Sequence, residues 1–126
     1  MDAKGRTVLD ELLDRVIAEG IAAARIDYEE DPPRLRGSVE GLEACRGKTP
    51  AELVALLARA RERVSLLSGE ESNADAFFEA RCFQDEVEWA LSVLSAALVM
   101  EGRTPVVPPT AKAARKAADL LGGARR

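Results

Sequence analysis

The sequence predicts an all-α protein, a bundle of four main helices followed by a short fifth helix. Apolar residues recur at helical spacing in four long segments, and nowhere do apolar and polar residues alternate for long enough to make a convincing strand. Glycine and proline separate the segments, and several segments begin with residues that cap helices. The predicted helices cover residues 7–30, 33–46, 50–67, 73–101 and 110–121, with the fourth helix central.

The chain has the length of one domain and contains no histidine. Its 126 residues, 47% hydrophobic and 32% charged, are typical of one folded unit. We expect a single helical domain over residues 1–123 and a mobile basic tail over residues 124–126. The absence of histidine excludes Ser-His-Asp and Cys-His nucleophile systems and histidine-ligated zinc.

The first helix is bounded by recognisable signals. Thr7 is placed to cap its N-terminus, with Asp10 and Glu11 in the first turn, where the helix dipole favours negative charge. Pro32 and Pro33 end it, because residues before proline avoid the helical conformation. The apolar face of this helix is formed by Val8, Leu9, Leu12, Leu13, Val16 and Ile17.

The second segment has two competing interpretations. Gly37 and Gly41 each lower helix propensity by about 1 kcal/mol relative to alanine. Both glycines fall on one helical face, which fits a close crossing with another helix, but a partly irregular loop fits them equally well. Gly47 is a natural stop after this segment.

The third and fifth helices have specific start signals. Thr49-Pro50-Ala51-Glu52 is a capping box with proline at the first helical position. Three prolines within residues 103–109 exclude a helix there and predict an extended connection. Thr110 then caps the last helix, and Gly122-Gly123 are expected to end it.

The fourth helix carries two apolar stripes on different sides. A helix of this kind is either central in its own fold or half buried in a partner. One stripe contains an aromatic residue and a methionine, types that are enriched at the centres of protein interfaces. This stripe predicts a homodimer, and its candidate interface residues are Phe78, Cys82, Trp89, Val93 and Met100.

Asp27 interrupts the apolar stripe of the first helix, beside small residues. Either its carboxylate points inward and pairs with a cation such as Arg81, or the helix bends or frays before Asp27 and the side chain reaches solvent. Arg81 shares a polar line of the fourth helix with two carboxylates. The candidate buried polar residues are therefore Asp27, Arg81, Asp85 and Glu88.

Charge alternates along the chain, with a net value of −4. Residues 1–31 and 70–102 are acidic, whereas residues 32–69 and 110–126 are basic, which fits helices of opposite charge lying side by side. The third helix lacks the asparagine and glutamine that read bases, so nucleic acid is not an expected partner. The candidate basic surface consists of Arg59, Arg61, Arg63, Lys112, Arg115 and Lys116.

Two carboxylate pairs lie one helical turn apart, Glu11-x-x-Asp14 and Asp85-x-x-Glu88. They resemble the paired motifs with which the all-α NTP pyrophosphatases hold magnesium. The resemblance covers these two short motifs and implies a Mg²⁺-dependent phosphohydrolase. The chain departs from that pattern because Glu11 and Asp14 lie opposite the apolar face of their helix, where the fold would not gather them.

The remaining features favour an intracellular protein without a cofactor or metal. The N-terminus has no apolar signal core, and the longest apolar run, residues 89–100, is too short to span a bilayer. Cys45 and Cys82 fit small buried thiols in a reducing cytoplasm. We therefore expect a non-enzymatic, cytoplasmic interaction or assembly protein that acts through helix faces. Its expected partner is itself, as a homodimer, another protein, or both.

Overall fold

The residues that the structure describes fold into five helices, as the sequence predicts. The computed structural model describes residues 7–69 and 73–124, and no strand occurs among them. The helices are α1 (Val8–Asp27), α2 (Pro32–Ala44), α3 (Pro50–Leu67), α4 (Ala74–Met100) and α5 (Ala111–Ala124). Of the tail predicted at residues 124–126, Ala124 belongs to α5, and residues 125 and 126 lie outside the described residues.

The predicted capping boxes are both present. The backbone N–H of Asp10 donates to the Thr7 hydroxyl at 3.1 Å, and the Thr7 N–H donates to the Asp10 carboxylate at 3.0 Å. At the start of α3, the reciprocal bonds between Thr49 and Glu52 measure 3.2 and 2.9 Å. Each box satisfies two of the N–H groups that a helix N-terminus otherwise leaves without a partner.

Two helix ends differ from the predicted positions by three residues, and the other ends differ by at most two. α1 ends at Asp27, three residues before the predicted end, because the chain must turn ahead of the proline pair. α5 continues through Gly122 and Gly123 to Ala124. Glycine lowers helix propensity but does not forbid a helix, so these glycines do not end it.

α2 is a regular helix that packs closely on α4, which resolves the two interpretations of its glycines. A Cβ atom at Gly37 would clash with the backbone carbonyl of Glu79, and one at Gly41 would lie 2.7 Å from the carbonyl oxygen of Phe83. Arg36 also donates to the Glu79 carboxylate at 3.1 Å. The absence of side chains at Gly37 and Gly41 is therefore what lets the two backbones approach.

α4 is the central helix and packs against α1, α2, α3 and α5. Every residue from Ala90 to Leu98 is buried, so this part of α4 is covered on all sides. The core around it is formed by apolar side chains of the other four helices. Its two apolar stripes are thus explained by a central position in the fold.

This position corrects the predicted dimer interface. Val93 is fully buried and Cys82 is 8% exposed, because neighbouring helices of the same chain cover them. Phe78 and Met100, near the two ends of α4, are 39% and 46% exposed, and Trp89 is half-buried. The five residues therefore do not form one continuous surface that a second copy could contact.

The segment between α4 and α5 is non-helical and lies along α4. The N–H of Val107 donates to the Ser95 hydroxyl, and the N–H of Thr110 donates to the Ser92 hydroxyl, both at 3.2 Å. Gly102 begins the segment with φ +73°, a left-handed conformation that favours glycine. Thr110 caps α5 as predicted, accepting from the N–H of Ala113 at 3.1 Å.

Candidate functional site

An open groove of about 940 Å³ lies between α1 and α5, with α4 at its floor. It is the candidate site because it brings together small, aromatic and charged side chains from three helices. Lys116 of α5 donates to Glu19 of α1 at 2.6 Å, and Arg15 of α1 donates to the carbonyl of Leu120 at 3.1 Å. These two contacts show that α1 and α5 run in opposite directions along the groove.

The middle of the α1 wall of the groove consists of small residues flanked by two carboxylates. Gly20, Ala23 and Ala24 lie between Glu19 and Asp27 along this wall. Because these side chains are short, the wall is set back and space remains above the floor. Asp27 is the last residue of α1 and is exposed, so its carboxylate reaches solvent as the second interpretation predicts, although the helix continues through it.

The α5 wall is basic. Lys112, Arg115 and Lys116 line it, together with Asp119. These residues recur at helical spacing on the side of α5 opposite its buried alanines and leucines. Three of the six residues of the predicted basic surface therefore lie on one wall of the groove, facing the carboxylates of α1.

Trp89 and Glu86 form the floor, both on α4. The Lys112 ammonium lies 5.6 Å from the centroid of the Trp89 ring, within the range of a cation–π interaction. Burial raises the pKa of the Glu86 carboxyl, while a hydrogen bond from the buried Ser38 hydroxyl and the positive charge of Arg34 lower it. The floor thus combines an aromatic face with a carboxyl group that burial makes harder to ionise.

A second cavity, of about 540 Å³, lies on the other side of Trp89. It is lined by α3, α4 and the segment at residues 107–110. Across it, Arg61 of α3 donates to Glu88 of α4 at 2.7 Å. Trp89 therefore belongs to the walls of both cavities.

The prediction of buried polar residues is wrong. All four candidates are exposed, namely Asp27, Arg81, Asp85 and Glu88. Arg81 pairs with Asp85 one turn along α4 at 3.4 Å rather than with Asp27. Glu88 pairs with Arg61, as described above. Because these side chains lie on the outer side of α4, water solvates them and no buried ion pair is needed.

The predicted basic surface does not form one patch. Arg59, Arg61 and Arg63 are all exposed on α3. Arg61 lines the second cavity, whereas the three basic residues of α5 line the groove, and Trp89 separates the two. Helical geometry also places Arg61 on a different side of α3 from Arg59 and Arg63.

The two carboxylate pairs do not come together as a metal site. Within residues 7–69 and 73–124, no group of three or more acidic or cysteine side chains is placed to hold a metal ion. Asp85 and Glu88 are engaged with arginines, and Asp14 lines a separate cavity of about 210 Å³ with Lys48. The arrangement implied by the resemblance to all-α NTP pyrophosphatases is therefore not formed by these residues.

The cysteines are buried and unsuited to nucleophilic chemistry. Burial raises the pKa of the Cys45 thiol to about 12, and its Sγ donates to the Gly41 carbonyl at 3.3 Å. Burial also raises the pKa of the Cys82 thiol. Since the thiolate is the reactive form, neither residue is activated for attack.

The groove contains residues that the sequence analysis did not single out, namely Glu19, Tyr28, Glu86 and Asp119. The sequence signal that could have found them is the opposite charge of the first and last segments. This charge pattern indicates that helices of opposite charge are neighbours, but it does not identify which helix lies beside which. Comparison with known proteins adds no further assignment, because no family model, curated protein or solved structure matches this chain. Among the described residues, no helix is long and apolar enough to cross a bilayer.

Proposed function

We propose that this chain is a non-enzymatic helical interaction protein that binds a polypeptide in the groove between α1 and α5. The observation that carries the proposal is the composition of the groove, an accessible indole at the floor beside a wall of small residues. Aromatic anchors surrounded by a polar rim are typical of protein interfaces. The proposed cellular location of the protein is the cytoplasm.

The short side chains of the α1 wall support a polypeptide ligand. Ala23 is exposed, and its short side chain leaves the backbone of α1 accessible from the groove, so a helix or strand of a partner can approach closely. The volume of about 940 Å³ lies at the upper end of the range for small-molecule sites, and the groove is open rather than enclosed. An extended ligand fits an open groove better than a small substrate does.

The chemistry of the groove favours binding over catalysis. A nucleophile needs an adjacent base, and the two cysteines are buried with raised pKa values in a chain that contains no histidine. Glu86 is the floor carboxyl with a raised pKa, and the Ser38 hydroxyl that is hydrogen-bonded to it is buried and does not line the groove. Phosphohydrolysis by paired carboxylates also lacks a gathered set of ligands among the described residues.

Site-specific photo-cross-linking tests the proposal. A benzophenone amino acid at Ala23, exposed on the α1 wall, should give defined cross-linked products with a polypeptide under native conditions. The matched control places the same probe at Glu62, which is exposed on α3 outside the groove. Products of the Ala23 variant should be analysed by mass spectrometry to locate the linked peptide.

The two probes give opposite expectations. Cross-linking from Ala23 but not from Glu62 supports a binding groove. If Ala23 yields no product, or if the two positions yield the same products in the same amounts, the groove is not the binding surface and the proposed function is wrong.

A further inference from the structure

Much of the charge that lines the groove is engaged within the chain. Lys116 of α5 donates to Glu19 of α1 at 2.6 Å, and Arg15 also pairs with Glu19 at 3.7 Å. The Lys112 ammonium lies over the indole of the floor. Also at the floor, the Glu86 carboxyl is hydrogen-bonded to a buried hydroxyl. These groups already have partners and do not need an occupant of the groove to supply one.

The remaining charged side chains of the groove form no ion pair among the described residues. They are Arg115 and Asp119 of α5 and Asp27 of α1, all exposed. Asp119 precedes Leu120, whose carbonyl accepts from the Arg15 guanidinium at 3.1 Å, so a cation of the chain already lies at that end of the groove. Arg115 and Asp27 are therefore the two charges that an occupant can neutralise.

Arg115 and Asp27 lie about two helical turns apart along the groove. Lys116 pairs with Glu19, and the two helices run in opposite directions, so Arg115 lies at the level of the next residue of α1, Gly20. The second contact between these helices, four residues away on each, gives the same register. Asp27 is seven residues beyond Gly20, which at 1.5 Å per residue is about 10 Å along the helix axis. An occupant that reaches both groups must carry opposite charges at that spacing.

An α-helix laid along the groove provides this spacing. Residues i and i+7 of a helix lie on one face, about 10 Å apart, and residues i+3 and i+4 lie between them on the same face. Lys112, three residues before Arg115 on α5, falls between the levels of Arg115 and Asp27. Its ammonium lies over the Trp89 ring, so the middle of such a helix faces the indole.

We propose that the occupant is an amphipathic helix of a partner protein, with an acidic and a basic residue seven positions apart on one face and an apolar residue between them. The acidic side chain binds Arg115, the basic side chain binds Asp27, and the apolar side chain packs on Trp89. This inference rests on the proposed function, since it names the kind of polypeptide that fills the groove.

Shape and charge together favour this occupant. The groove is open and concave, and an amphipathic helix that lays its apolar face in such a groove is a recurring mode of peptide recognition. A purely acidic helix would leave Asp27 unpaired and would be repelled by it. A purely basic helix would do the same at Arg115, so only a helix with both charges fits the two ends.

Synthetic peptides held helical by a hydrocarbon staple on the outer face test the proposal. The matched probe is a fluorescein-labelled helix of about 15 residues of alanine and glutamine, with glutamate at position i, leucine at i+3 and i+4, and lysine at i+7. The control probe has the same composition but carries the lysine at i+9, on the opposite side of the helix from the glutamate. By fluorescence anisotropy at low salt, we expect the matched probe to bind the parent protein at least about tenfold more tightly than the control probe.

Charge reversal on the protein should be compensated by charge reversal on the peptide. Arg115→Glu should bind the matched probe at least about tenfold more weakly than the parent does, and a probe with lysine in place of the glutamate should restore the affinity. Asp27→Lys should likewise be restored by a probe with glutamate in place of the lysine. Glu62→Lys and Arg63→Glu change charge on the exposed surface of α3, outside the groove, and should bind the matched probe like the parent. Circular dichroism should show the same helix content for all four variants.

Several outcomes overturn the inference. These are a matched probe that binds no more tightly than the control probe, groove variants that bind it like the parent, and weakened variants that the compensating probe does not restore. A segment linked to the benzophenone at Ala23 that lacks the two charges at this spacing, or that comes from a second copy of this chain, overturns the inference while the proposed function stands. If Ala23 links to nothing, both proposals fail.

Discussion

Glu86 shows how one residue can report on the groove. Its carboxyl has a raised pKa because burial at the floor disfavours the charged form, more than Ser38 and Arg34 compensate. A carboxyl whose pKa is higher in the folded than in the unfolded chain stabilises the fold while it is protonated. That contribution is present below the unfolded pKa and is lost as the pH rises through the folded pKa.

Replacing Glu86 with glutamine should therefore remove the pH-dependent contribution of this carboxyl to the free energy of unfolding. The free energy of unfolding can be measured by urea titration at about pH 5 and about pH 8. At about pH 8 we expect Glu86→Gln to be more stable than the parent. At about pH 5 we expect the difference between the two proteins to be smaller. The reason is that the amide carries no charge to desolvate. Glu62→Gln, on the exposed surface of α3, is the matched control and should follow the parent. Parallel pH profiles for Glu86→Gln and the parent would contradict the role of burial.

At the scale of the helices, the contact between α2 and α4 depends on the absence of two side chains. Gly37 and Gly41 lie one turn apart on α2, each against a backbone carbonyl of α4. Backbone atoms cannot rotate away as a flexible side chain can, so a methyl group at either position must push the helices apart.

Gly37→Ala and Gly41→Ala should each destabilise the fold by about 1–3 kcal/mol, although alanine alone favours a helix by about 1 kcal/mol. Chemical denaturation measures this difference. Gly69→Ala is the matched control, because Gly69 has nothing within 4 Å of an added Cβ atom and no positive φ. If the two α2 variants are as stable as this control, the backbones do not approach as closely as described.

The helices differ in how far their sequences predict them. The starts of α1 and α3 depend on Thr7 and Thr49, whose bonds are local, so both were predicted correctly. α2 could not be distinguished from a loop, because the benefit of Gly37 and Gly41 comes from α4, more than 35 residues later in the chain. The predicted end of α5 at Gly122 was wrong for a related reason. Glycine often ends helices, but Gly122 lies inside α5.

At the scale of the whole molecule, α4 joins the other four helices into one core. The groove could not be predicted in the same way, since periodicity indicates which face of α1 or α5 is polar but not which helix lies opposite. The sequence alone shows Asp27 as an unusual carboxylate among small residues and Lys112, Arg115 and Lys116 as a basic group. Only the packing of α1 beside α5 places these residues on facing walls.

Because α4 is shared, we expect the fold to unfold as one unit. Far-ultraviolet circular dichroism follows all helices, and fluorescence follows Trp89, the single tryptophan of the chain. Their urea transitions should coincide in midpoint and slope. Val93→Ala truncates a fully buried side chain of α4, so it should shift both urea transitions by the same amount. Separate transitions would show that part of the bundle unfolds independently of α4.

The position of Trp89 has a consequence for the two cavities that it separates. One indole ring is the partition between the groove and the smaller cavity formed by α3, α4 and residues 107–110. A tilt of that ring toward one side narrows that compartment and widens the other. Molecules that require opposite tilts must compete even without touching, and Trp89 fluorescence would record the competition.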